Sequence, residues 1–428
     1  MRLRWLFGLC LASLVFALAA CGDDDDGGGG AGAAGAPEDA KTVSLADAEN
    51  ATGDVTWCIG KDTSGAFNEM VKLHNQQSDV NVELLELPTS ADQQRTQQIQ
   101  RLRAQSDECD VLGMDVIWTA EYAAQGWLYD LTDAVEQRGD DFIPSTLETA
   151  KIDDKYWAVP FNTNAGFVYY RTDQADQVPQ SWEDLYSTAQ QDDGVVYQGA
   201  RYEGLTVNFL ELLYAAGGTV VSEDGSQAEV SDEATDVLEF MRQGVEDGAV
   251  PKAVTTYMEE ESRRAFESGS ATFMRNWPYA YALGKESNIA DDFDVAPLPP
   301  FSEGGEGASI LGGYNLGISA YSQNPEGSLE FIDFVTQPEP QKIMMTKASL
   351  PAVLTETYDD KEVQEAAPFA EDLRTAVEQG RPRPVSAVYT QISEAIYNNV
   401  YEALGGDASV DDAISSMEDE IQKAIETF

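Results

Sequence analysis

The sequence predicts an α/β protein of two lobes, each a mainly parallel sheet flanked by helices, joined by crossing hinge segments. Three observations carry that prediction. Between Val55 and Trp118, apolar runs at strand spacing alternate with runs at helical spacing, the pattern of a parallel α/β sheet. In 156–171, Pro160 and the polar run Asn162-Thr163-Asn164 separate two strand-like pieces, which suits an extended passage from one lobe to the other. With 428 residues, the chain is long enough for two lobes of ordinary domain size.

In chain order, Arg2 and Arg4 form a basic start, 5–16 an apolar core, and Leu18-Ala19-Ala20-Cys21 the end of a secretory signal. Its small residues before a cysteine resemble a bacterial lipoprotein box, which implies cleavage before Cys21 and a lipid on its sulfur. The alternative is an ordinary signal peptide with an incidental cysteine. After cleavage, no apolar stretch long enough to span a bilayer remains. An Asp run and a Gly run follow, too poor in apolar residues to fold, so 22–40 is a flexible tether. The Asp run lacks the spacing and closing Glu of a calcium loop.

The expected division is a signal peptide at 1–20, lipidated Cys21 with its tether over 21–53, an N-terminal lobe from 54–162 and 293–333, and a C-terminal lobe from 163–292 and 334–428. In the first lobe, Val55 to Ile59 reads as a strand, followed by a Gly60–Gly65 loop and a helix carrying Phe67, Met70, Val71 and His74 on one stripe. Val80, Val82 and Leu84 alternate as a strand does, and a polar helix follows over 93–105. The next apolar run, Val111 to Trp118, contains one charge, Asp115; a carboxylate there must be paired, hydrogen-bonded or at the strand's end facing a cleft. Ligands of such sheets bind beyond the C-terminal strand ends. The middle of the chain reads as mostly helical, Trp277-Pro278-Tyr279 as a break after a strand, Val295 to Pro300 as a strand returning to the first lobe, and 325–335 as a helix crossing back. Cys58 and Cys109 each flank a strand in an oxidising compartment. A structural bridge between them is expected, with two separate buried thiols as the alternative.

Composition narrows function. Lys plus Arg number 26 against 76 Asp plus Glu, a formal charge of −50, which excludes nucleic acid as a partner and disfavours an acidic membrane surface. It keeps the chain soluble by self-repulsion. His74 is the only histidine, so a Ser-His-acid triad or a polyhistidine metal site has little to stand on. No Gly-x-Ser-x-Gly elbow or P-loop is present, and no cofactor is expected. Carboxylate pairs for glycoside hydrolysis are available, but no spacing singles one out.

Five blocks occur in order: DVLGMDVIW with GWLYDLT, AVPFNTNAGFVYYR, ATFMRNWPYAYAL, LGGYNLGISAYS and RPRPVSAVYTQISEAI. Together they resemble the extracellular solute-binding proteins (family 1) of ABC importers, in the trehalose/maltose-binding branch. That resemblance implies a periplasmic-binding-protein-like fold and places sugar contacts on Asp115, Gln94, Asn164, Trp277, Tyr279, Gly313, Tyr314 and Arg383, with Asp62 and Ser64 in the first loop. Two departures stand out. Gln94 and Asn164 replace the Arg and Asp of some relatives, and Tyr314 replaces a Trp.

Aromatic rings suit the C–H faces of a sugar, while carboxylate, amide and guanidinium groups suit its hydroxyl rim. On residues alone, Trp277 and Tyr279 read equally as a core cluster, and Arg383 as a surface ion pair. The resemblance implies a monomeric, lipid-anchored receptor capturing a trehalose- or maltose-like disaccharide by lobe closure, with permease transmembrane subunits and a cytosolic ATPase as partners. The rival readings are an exported glycosidase and a sugar sensor on the same fold.

Overall fold

The computed structural model describes residues 36–427 apart from 38, 89–90 and 223–224. The signal peptide, Cys21 and the first part of the tether lie outside the described residues. Among the described residues, no helix is long and apolar enough to cross a membrane.

The first sheet begins with β1 (Gly53–Gly60), which pairs in parallel with β2 (Val80–Leu87) along its whole length. Val55, Trp57 and Ile59 point one way from β1 into a core, where the Trp57 ring meets Phe67, Phe161 and Phe331 at 5.1–5.5 Å. On the other side of β1 runs β3 (Val111–Asp115), buried on both faces until Asp115, as an inner parallel strand must be. Cys58 of β1 and Cys109, just before β3, form a disulfide with Cα atoms 5.7 Å apart. A loop of this length gains about 4 kcal/mol from restriction of the unfolded chain. His74 is fully buried, its Nε2 2.6 Å from Glu330 and its ring edge-on to Phe331 and Phe334.

A short antiparallel pair, β4 (Lys151–Ile152) and β5 (Lys155–Tyr156), precedes β6 (Val159–Asn164). Only Ala165 and Gly166 then separate β6 from β7 (Phe167–Arg171), which lies in a different sheet. The second sheet adds β8 (Val195–Val196), β9 (Phe273–Asn276) and β10 (Phe293–Pro297), and the first is completed by β11 (Gly312–Ile318). Strand orders are β2-β1-β3-β11-β6 and β10-β7-β9-β8, with β11 and β7 each running against the other strands of their sheet. The second core gathers Phe167, Tyr169, Phe266 and Phe273 with helices Glu203–Ala215, Asp232–Asp247 and Tyr389–Gly405.

Three expectations are corrected. The strand at 293–297 pairs with β7 in the second sheet, where Phe293 stacks on Tyr169 at 6.2 Å, so the return to the first lobe comes with β11 and not at 293. Apolar alternation on an edge strand does not say which sheet it joins. Helix Pro325–Val335 does not cross back. Leu329, Phe331, Ile332 and Val335 pack it on the first sheet, and Met344, Val353 and Leu354 remain in that core, while Met345, Ala352 and then Tyr358 reach the second. Order also begins before Asp54. Ser44 caps helix Leu45–Ala48 with a capping box, Val43 and Ala48 are buried, and Thr42 bridges to Asp130.

Candidate functional site

Beyond the C-terminal ends of β1 and β3 lies a cleft of about 260 Å3. Its floor is the loop after β1. The Asp62 carboxylate accepts from the Ser64 backbone at 2.8 Å, the Ser64 hydroxyl at 2.6 Å and the Phe67 amide at 3.1 Å, so Asp62 and Ser64 hold the loop in shape. One wall is Gln94, from helix Ala91–Arg103. It lies so close to Gly60 that a Cβ there would stand 2.5 Å from its amide nitrogen.

Tyr314 sits on β11, opposite Asp115 on β3, and its hydroxyl donates to Gln94 at 3.0 Å. Burial and the Asp115 charge push the Tyr314 hydroxyl upward, so it stays a proton donor. Gly313 is required by geometry: φ is +109°, and a Cβ would meet the Asn162 carbonyl oxygen at 2.2 Å. Asn162 and Asn164 line the cleft from β6. Asn162 is only 2% exposed, yet neither its amide nitrogen nor its oxygen has a hydrogen-bond partner. A buried polar group left this way costs about 1–3 kcal/mol.

Asp115 ends β3 as the strand turns into a short 3-10 helix, accepting from the Ile117 amide at 3.2 Å. Arg383 reaches it from the other lobe at 3.2 Å and bonds Glu203 at 2.9 Å through its second terminal nitrogen. Burial pushes the Asp115 carboxyl above its ordinary value, against the pull of Arg383. Glu203 is also held by the Tyr389 hydroxyl at 2.6 Å and by Ser393. The Arg383 Nε is buried without a partner.

Trp277 follows β9. A Cβ on Gly312 would lie 3.7 Å from its ring and 3.4 Å from the Asn164 Cβ, which places the indole beside the β6–β11 edge of the cleft. Tyr279 is drawn elsewhere: its hydroxyl donates to Glu260 at 2.9 Å, and burial pushes that hydroxyl upward.

The predicted residues Asp62, Ser64, Gln94, Asn164 and Tyr314 therefore line one cleft, while Asp115 and Arg383 join across the lobes beside it. Trp277 borders the cleft, Gly313 shapes it, and Tyr279 stands apart with Glu260. Sequence reasoning missed Asn162 and Glu203. For Asn162 a signal existed, since it alternates with Asn164 and shares its face of β6. Glu203 opens a helix, where an acid is common for reasons unrelated to a site. Among the described residues, no group of three or more His, Cys, Asp or Glu is placed to hold a metal.

The model of the bacterial extracellular solute-binding protein family matches residues 60–342. A probable ABC transporter-binding protein of Deinococcus radiodurans is 32% identical over 365 residues, covering 80% of this chain and 86% of that protein. Maltose-bound T. maritima MalE3 superposes with a TM-score of 0.77 at 34% identity, over 87% of this chain and all of that one. The cyclic α-maltosyl-1,6-maltose binding protein of Arthrobacter globiformis shares the fold, with a TM-score of 0.75 at 22% identity over 88% and 99% of the two chains. The chain belongs to the bacterial extracellular solute-binding protein family and has its two-lobed fold.

Proposed function

We propose that this protein is the lipid-anchored, extracellular substrate-binding component of an ABC sugar importer, and that it captures a trehalose- or maltose-like disaccharide between its lobes. The observation that carries this reading is Asn162, a buried amide lining the cleft with both ends unpaired. Such a group calls for a neutral ligand that can donate and accept, as sugar hydroxyls do. The Trp277 ring beside the same cleft suits a pyranose C–H face, and the similar T. maritima protein was solved with maltose. Ligand contacts from both lobes would favour the closed form, since differential affinity is what shifts such an equilibrium.

The carboxylates beside the cleft support binding rather than turnover. Asp62 is occupied by its loop, and both Asp115 and Glu203 are paired with Arg383, so none stands free as acid or nucleophile. Anchoring rests on Cys21, and the expected partner of the monomeric, sugar-loaded receptor is the transmembrane permease, whose cytosolic ATPase supplies the energy. The test is calorimetric titration with maltose and trehalose, with the sugar recovered afterwards. Saturable binding of intact sugar supports the receptor; cleavage, or no binding of either by folded protein, contradicts it.

A further inference from the structure

A buried charged pair lies in the second lobe, behind the cleft aromatic. Arg275 on β9 and Glu211 are each 1% exposed and meet through two bonds, Nε to Oε2 at 2.7 Å and Nη2 to Oε1 at 2.5 Å. The remaining guanidinium nitrogen bonds Gln198 at 3.0 Å. The Arg275 Cζ lies over the Trp277 ring, 4.0 Å from its centre. Glu211 also accepts from the backbone of Ile310 at 3.3 Å, in the segment that carries the chain from β10 to β11. Gly166, in the β6–β7 passage, lies so close that a Cβ would meet both Arg275 Nη2 and Glu211 Oε1 at 2.6 Å. The two passages touch each other there, the Gly166 amide donating to Ser309 at 2.6 Å. One ion pair thus contacts the cleft aromatic and both inter-lobe passages.

Stability alone is a weak reason for such a pair, because well-packed apolar replacements of buried ion pairs are often neutral. A planar guanidinium with each of its three nitrogens hydrogen-bonded does what an apolar side chain would not: it fixes the plane on which an indole stacks. We infer that Arg275 and Glu211 are positioning residues that set the Trp277 ring for the ligand and tie it to both passages. Ring placement and lobe geometry are then adjusted together. The inference rests on the proposed reading of Trp277 as a wall of the sugar site.

The test uses the full chain with Arg275→Met/Glu211→Leu, Arg275→Lys and Trp277→Ala, and maltose as the probe. The double variant should keep its melting temperature and lose maltose affinity by about 10- to 30-fold, and Arg275→Lys should recover part of it. In the unliganded protein, the Trp277 contribution to fluorescence, taken as the difference from a Trp277→Phe counterpart, should change in the double variant. That arm needs no ligand, so it decides the inference even if the apolar pair does not fold, by way of Arg275→Lys. Parental affinity in the folded double variant or in Arg275→Lys, or an unaltered Trp277 signal, overturns the positioning role. Parental affinity in Trp277→Ala overturns instead the sugar-site reading beneath it.

Discussion

The two faces that border the cleft are built on opposite principles. On the first-lobe face, one buried amide keeps hydrogen-bonding capacity left over: neither polar atom of Asn162 has a partner. Behind the second-lobe face, the polar groups are paired, Arg275 with Glu211 and Gln198. What that face offers is an aromatic ring on a rigid base. In the proposed reading, the first face distinguishes hydroxyl patterns and the second supplies stacking that any pyranose would satisfy. Arg383 links the two lobes, paired with a carboxylate in each while its Nε has no partner.

The largest effect should come from breaking the first face at its backbone. Gly313→Ala combines a φ of +109° with a contact of 2.2 Å to the Asn162 carbonyl, and should cost about 3 kcal/mol or more by denaturant unfolding. Trp277→Ala removes the stacking surface of the second face. It should lower sugar affinity by about 2–3 kcal/mol in calorimetry while leaving the unfolding midpoint nearly unchanged. A parental affinity would dissolve the division of labour between the faces.

The smallest effect concerns the inter-lobe pair. Because the folded-state pKa of Asp115 is raised, its contribution to stability is fully present below the unfolded value of 3.8 and is lost as pH rises through the folded value. The stability of the parent protein relative to Asp115→Asn should therefore improve as pH falls from neutrality toward 3.8, followed by urea unfolding at each pH. An opposite trend would mean that pairing with Arg383, rather than burial, dominates at this carboxylate.

Much of the first lobe was legible because local pattern and tertiary fate agree there. Alternation in β1 and β2, the apolar run ending at Asp115, and the Pro160-containing passage all appear where the residues imply. Cys58 on β1 and Cys109 just ahead of β3 are bridged, as their flanking strands suggest. What stayed hidden was membership. Phe293 and Val295 look the same on an edge strand of either sheet, and helix Pro325–Val335 has an apolar stripe that suits either core. Around the cleft, the family blocks pointed to residues that line it, but not to which polar atoms remain unpaired. That depends on partners far apart in sequence: Arg383 is 268 residues from Asp115, and Tyr314 is 220 from Gln94.

If the first-lobe face keeps open hydrogen-bonding capacity for a sugar, Asn162→Ala is the variant that shows it. Removing an unpaired buried amide should leave unfolding stability unchanged or slightly higher, while the affinity for maltose or trehalose falls by about 10-fold. If stability falls instead and affinity holds, Asn162 belongs to the fold and not to the ligand.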